Sequence, residues 1–304
     1  MKGQYFDFEG SGGTVLPAVI WRPANVRAVL QVAHGTTEHM GRYEAFAAAM
    51  AAHGIAVAGF DLRGHGRNPG DPAVAEFHPG DWQASVQDVQ LFREHLGREF
   101  PEVPLFLMGF SLGSFLVRDV LNAYPTDTLS GVILMGTGHQ PGWLLSVMQW
   151  IVAGQIRKVG FDKPSALVRK LSFGVYNDKF KPNRTEVDWL SADEGAVDAY
   201  LADPLVRRAT CSGMFWELLG SMKRHSDSRE YDLWDKDLPV LLISGGEDPV
   251  GGAGKGVATI CRQMTQAGMK HVTMKLIPGA RHAILMNSAG EAEKIIGDWV
   301  AVQC

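Results

Sequence analysis

Short apolar runs and amphipathic segments alternate along the first half of the chain. Residues 28–33 (AVLQVA), 55–60 (IAVAGF), 105–108 (LFLM) and 129–135 (LSGVILM) are nearly free of polar positions. Runs of that length between turn residues predict strands buried on both faces. Between them, residues 43–52 are Ala-rich, and residues 81–100 carry Val86, Val89, Phe92 and Leu96 three or four apart, the spacing of one helix face. Pro101 ends that helix. Ahead of these, residues 5–8 and 15–21 place aromatic and β-branched residues around a Gly-rich turn at 10–13, which predicts a hairpin at a sheet edge, closed by Pro23.

The rhythm stops near residue 138. From there to about 236 the chain is helical in flavour, punctuated by Pro141, Pro164, Pro182 and Pro204, with no clear buried strand. It resumes after Pro239 with residues 240–244 (VLLIS), a helix ending near 267, a strand at 272–277 (VTMKLI) and a last helix from about 289 to 302. The expected fold class is α/β: a mostly parallel central sheet with helices on both faces and an inserted helical cap. Residues 1–137 and 237–304 form the core, and residues 138–236 form a cap above the strand ends, where functional groups of such sheets collect.

Composition narrows the class. The 304 residues are 46% hydrophobic and 20% charged, an ordinary globular balance with ample material for a core. A net charge of −4, without a Lys/Arg-rich tract, points away from a nucleic-acid partner. Cys211, Cys261 and Cys304 are far apart and odd in number, which suits reduced thiols. The first residues lack a secretory apolar core, and no stretch reaches the roughly 18 apolar residues of a membrane span. The expectation is a cytoplasmic protein, with peripheral membrane contact left open. Oligomeric state is not legible.

The candidate chemistry sits at strand ends. Gly109-Phe110-Ser111-Leu112-Gly113 joins an apolar run to a helical one. That is the pattern of a nucleophile elbow, in which a strained turn presents the Ser and two glycines make room for it. The alternative is an ordinary turn whose Ser caps the helix. A Ser hydroxyl needs a base to take its proton and a third group to orient that base. Asp248 follows the strand at 240–244 and His282 follows the strand at 272–277, with Glu247 a rival carboxylate. An oxyanion site needs two backbone donors, for which the N–H groups of Leu112 and Thr36 are placed. His34 and His65 read as structural. No cluster has metal-ligand spacing, so no metal is expected, and the Gly-rich run at 251–256 lacks a phosphate-loop pattern.

These motifs together resemble a known family. His34-Gly35-x-x-Glu38-His39-x-x-Arg42-Tyr43, Asp61-x-Arg63-Gly64-His65-Gly66, the Ser111 elbow, Asp248-Pro249 and Gly279-x-x-His282 are similar to the monoacylglycerol lipase and lysophospholipase branch of the α/β-hydrolases. The order Ser111, Asp248, His282 is that fold's triad order. The resemblance covers essentially the whole core. It implies a cofactor-free serine ester hydrolase with a mobile cap, acting on single-chain lipid esters. Two positions depart: Asn68-Pro69 stands near where a Ser is common, and Phe110 precedes the nucleophile where a His is common.

Five of the eight tryptophans, Trp143, Trp150, Trp189, Trp216 and Trp234, fall in the expected cap. They suit an apolar binding wall or the cap's own core. Phe110, Trp143 and Trp150 are the substrate-binding candidates, with residues 143–152 the stretch best suited to line an acyl channel or touch a membrane. Three rival readings remain: a general short-chain esterase, a prolyl-type aminopeptidase using Asp188, Asp193, Glu194 and Asp198 to hold an ammonium, and a non-catalytic ligand receptor.

Overall fold

The apolar runs become strands, and their side chains sort by parity. A computed structural model describes residues 1–286 and 290–304. In chain order its strands are β1 (Gln4–Glu9), β2 (Val15–Trp21), β3 (Ala28–Ala33), β4 (Ile55–Phe60), β5 (Val74–Ala75), β6 (Leu105–Phe110), β7 (Gly131–Met135), β8 (Ala209–Thr210), β9 (Val240–Gly245) and β10 (Val272–Ile277). Eight of them make one sheet in the order β1-β2-β4-β3-β6-β7-β9-β10. β1 and β2 form the expected antiparallel hairpin, β2 joins β4 antiparallel, and all other neighbours are parallel.

Every residue of β3, β4, β6, β7 and β9 is buried. Successive side chains of a strand point to opposite faces. Leu105 and Leu107 of β6 therefore join Val132, Leu134, Val240 and Leu242 in one apolar cluster, while Phe106, Met108 and Phe110 join Ile133, Met135, Leu241 and Ile243 in another. Helices α2 (Asp81–Glu99), α3 (Leu112–Ala123) and α9 (Lys255–Gln266) cover the first face, and α1 (Glu44–Ala51) and α10 (Glu291–Gln303) the second. The predicted stripe Val86, Val89, Phe92 and Leu96 is the buried face of α2. Each such side chain contributes about 2 kcal/mol by leaving water. Residue 289, where the last helix was expected to begin, lies outside the described residues. β10 is a half-exposed edge strand, unlike its buried neighbour β9.

Between β7 and β9 the chain leaves the sheet. It forms α4 (Gly142–Val159), α5 (Ala166–Arg169), a π turn at Lys170–Gly174, α6 (Val175–Asp178), α7 (Glu194–Ala202) and α8 (Ser212–Arg224). Leu145 and Val152 of α4 pack on Val168, Phe215 and Leu219 in a third, separate cluster. One feature departs from the strandless expectation: β8, in this segment, pairs in parallel with β5. Among the described residues no helix is long and apolar enough to cross a membrane.

Candidate active site

Ser111 stands between the end of β6 and the start of α3, at φ 50° and ψ −117°. A residue with a side chain rarely holds such angles, and the surroundings must impose them. Its N–H donates to Met135 O at 2.9 Å, tying the turn to β7. The flanking glycines answer a packing demand. A Cβ at Gly109 would lie 2.3 Å from Gly113 O, and one at Gly113 would lie 2.0 Å from Ala33 O, both backbone atoms that cannot step aside.

The imidazole of His282 is 1% exposed and Asp248 is fully buried. His282 Nδ1 lies 2.9 Å from Asp248 Oδ1 and 3.0 Å from Oδ2. Asp248 accepts further from Ser244 Oγ at 2.9 Å and from Val250 N–H at 2.8 Å, so its position is set by its own loop and strand. A carboxylate facing Nδ1 fixes the tautomer with the proton there. His282 Nε2 is left as a lone-pair acceptor, buried and, among the described residues, without a hydrogen-bond partner. Ser111 and His282 line the same cavity, of about 750 Å³.

The N–H groups of Leu112 and Thr36 meet no protein acceptor among the described residues. The loop carrying Thr36 is held in place around them. Glu38 Oε1 accepts from Gly35 N–H at 2.7 Å and from the Tyr43 hydroxyl at 2.8 Å. Burial, then the Glu38 charge, raises the Tyr43 pKa well above its ordinary value, so the hydroxyl stays a donor. Thr37, at φ 65°, bonds the Tyr200 hydroxyl at 2.7 Å. His34 Nε2 accepts from Leu62 N–H at 2.9 Å, and its Nδ1 sits 2.8 Å from Gly35 O. Burial lowers the pKa of His34 to about 3, and burial with the nearby His34 lowers that of His65 to about 3. Both are neutral loop supports, and neither lines the cavity.

The substrate-binding candidates divide. Phe110 lines the cavity and lies against the His282 ring, with centroids 5.0 Å apart. Trp143 and Trp150 do not line it: they are 70% and 76% exposed. Leu145 and Val152 take the inward side of α4, so Trp143, Val147 and Trp150, spaced four and three apart, face outward. The aromatic wall comes instead from Phe173, Trp189 and Phe215. Trp189 stacks on His282 at 5.0 Å. Sequence reasoning placed Trp189 only among the cap tryptophans, since no local motif marks a contact made across the fold.

The four carboxylates considered for an ammonium are otherwise engaged. Asp188 accepts from Thr185 and Arg184, Asp193 caps α7 through Ala196 N–H, and Asp198 and Glu194 flank Arg184 at 2.7 and 3.8 Å. None lines the cavity. Among the described residues, no group of three or more His, Cys, Asp or Glu is arranged to hold a metal ion.

Known proteins resemble this chain over most of its length. Residues 24–289 match the Hydrolase_4 family, described as serine aminopeptidase, S33. Monoglyceride lipase of Mus musculus is 27% identical over 268 residues, spanning 87% of this chain and 78% of its own length. Monoacylglycerol lipase of Mycolicibacterium smegmatis is 27% identical over 281 residues, spanning 91% and 89%. A thermostable carboxyl esterase from Bacillus coagulans matches with a TM-score of 0.88 at 25% identity, over 99% of this chain and 98% of that one. The chain belongs to the Hydrolase_4 (serine aminopeptidase, S33) family and is an esterase/lipase-like serine hydrolase of the α/β-hydrolase fold.

Proposed function

We propose that the chain hydrolyses carboxylic esters of single-chain lipids, of monoacylglycerol or lysophospholipid type, through an acyl-enzyme at Ser111. The observation that carries this reading is the buried Nε2 of His282, unpartnered among the described residues and in the same cavity as a strained Ser111, with Nδ1 held by Asp248. Ser111 Oγ attacks the ester carbonyl carbon as its proton passes to Nε2. The carbonyl oxygen becomes an oxyanion between the Thr36 and Leu112 N–H groups. Collapse of the tetrahedral intermediate expels the alcohol, which takes the proton from Nε2. Water then attacks the acyl carbon, giving its proton to Nε2, and the acid leaves as Ser111 regains its hydrogen. Hydrogen bonds of this kind are often long before substrate arrives.

The substrate class rests on the aromatic wall of Phe173, Trp189 and Phe215 and on the names of the relatives. Residues 138–236 act as the cap over this site. The outward stripe Trp143, Val147 and Trp150 supports peripheral contact with a lipid surface. The carboxylates that do line the cavity are occupied, Glu38 by Gly35 and Tyr43, Asp178 by Lys181 and Glu186 by Arg169, which favours an ester over an ammonium-bearing peptide.

The deciding experiment measures hydrolysis of p-nitrophenyl esters of increasing acyl length beside monoacylglycerols, lysophospholipids and an N-terminal prolyl amide. Rates rising towards long chains support the proposal. A short-chain optimum makes the protein a general esterase, and faster cleavage of the amide makes it an aminopeptidase.

A further inference from the structure

The inserted segment grips the loop that carries His282. Arg281 Nη1 donates to Asp188 O at 2.6 Å and to Ser191 O at 3.1 Å. The His282 N–H donates to Trp189 O at 3.4 Å, and the Ala283 N–H to Leu190 O at 2.8 Å. The indole of Trp189 stacks on the imidazole with centroids 5.0 Å apart and planes 29° from parallel. Trp189 is 5% exposed and is itself backed by Phe173 at 5.6 Å and Tyr176 at 5.4 Å. Its backbone N–H donates to Asn177 Oδ1 at 3.0 Å. The Asp188 carboxylate, bonded to Arg184 and Thr185 N–H groups, closes the turn that presents it.

The contact with Asp248 does not by itself fix the imidazole. The bond at Nδ1 sets one point and one direction, and the ring plane can still rock about them. Nε2, on the far side of the ring, travels furthest in that rocking. A displacement of about 1 Å at a reacting atom can cost about 100-fold in rate. A flat indole seated in a buried aromatic stack limits the motion, and the backbone bonds from the 188–191 segment keep that indole in register with the loop it restrains.

We propose that Trp189 is a positioning residue for His282. It holds the imidazole plane so that Nε2 faces Ser111, and the inserted segment thereby governs turnover as well as access. This rests on His282 being the general base for Ser111. Trp189→Ala, Trp189→Leu and Trp189→Phe separate a flat ring from mere apolar volume. The measurements are kcat and KM on a soluble p-nitrophenyl ester, the pH profile of kcat/KM, and the rate at which a fluorophosphonate labels Ser111.

Trp189→Ala and Trp189→Leu are expected to lower kcat and the labelling rate about 10- to 100-fold, with KM within about threefold, and to move the acid limb of the pH profile. Trp189→Phe is expected to restore kcat to within about threefold of the parent. A change confined to KM would leave Trp189 as a substrate wall alone and overturn the proposal. Equal activity in the Leu and Phe variants, or an unmoved pH profile, would overturn it as well. If Trp189→Ala does not fold, the Leu and Phe pair decides. Failure of the parent protein to be labelled at Ser111 would instead overturn the underlying assignment of the site.

Discussion

Ser111 holds a backbone angle that most side chains avoid, and that local cost of about 1–3 kcal/mol belongs to the site rather than to the fold. Ser111→Ala should lower ester turnover by about 10³- to 10⁶-fold with the fold intact, since Ala keeps the strain and loses the hydroxyl. Ser111→Gly should be equally inactive yet more stable than the Ala variant by about 1 kcal/mol, because Gly takes a positive φ freely. Urea midpoints of the two variants compare them directly, and equal midpoints would show that the turn is not strained. Asp248→Asn tests the acid. An amide NH₂ facing Nδ1 favours the tautomer with the proton on Nε2, and kcat should fall about 10⁴-fold at unchanged geometry. A loss below about tenfold would remove Asp248 from the mechanism. Ser111, Asp248 and His282 were legible because each follows a predicted strand. Trp189 was not, because the ring it stacks on, His282, lies several elements further along the chain.

Strands were legible where burial is two-sided, and a helix was obscure where two apolar stripes compete for the inside. β4 and β6 read directly as unbroken apolar runs, and β3 as one interrupted only by Gln31. The two-residue β5 and β8 offer no period to detect. α4 shows the harder case: WLLSVMQWIV is plainly helical, yet two apolar stripes compete for the inside, and Leu145 and Val152 take it. Leu145 and Val152 pack with Phe215 and Leu219 of α8, and Trp143, Val147 and Trp150 are left outside. The exposed stripe carries its own expectation. Trp143→Ser with Trp150→Ser should cut hydrolysis of a long-chain ester presented in phospholipid vesicles about tenfold, the equivalent of about 1.4 kcal/mol of lost surface binding. Hydrolysis of a soluble short-chain ester should stay within about twofold. Equal losses on both substrates would place the tryptophans in folding or catalysis instead of at a lipid surface.

Across the whole molecule, the same close packing that shapes the site sets its response to acid. Burial lowers the pKa values of His34 and His65 to about 3 and, with the Arg118 charge nearby, that of His225 to about 4. In the unfolded chain these groups titrate near 6.5. Below that pH the unfolded state binds protons that the folded state refuses, so stability is fully present above about 6.5 and is lost as pH falls towards 4 and then 3. Burial raises the carboxyls of Glu217, Glu230 and Glu293, which oppose the trend by binding protons more readily when folded. Three imidazoles held down near 3 to 4 should dominate over the upper part of the window. The unfolding free energy from urea titration should therefore fall by several kcal/mol between pH 7 and pH 4.5, at about 1.4 kcal/mol per pH unit for each histidine. His65→Asn removes one such proton and should flatten the slope by about that amount, because an amide does not titrate in this range. A slope unchanged in that variant would mean that His65 is protonated when folded, and a flat profile in the parent would mean that the buried histidines, His34 above all, are not the neutral supports on which the Thr36 loop stands.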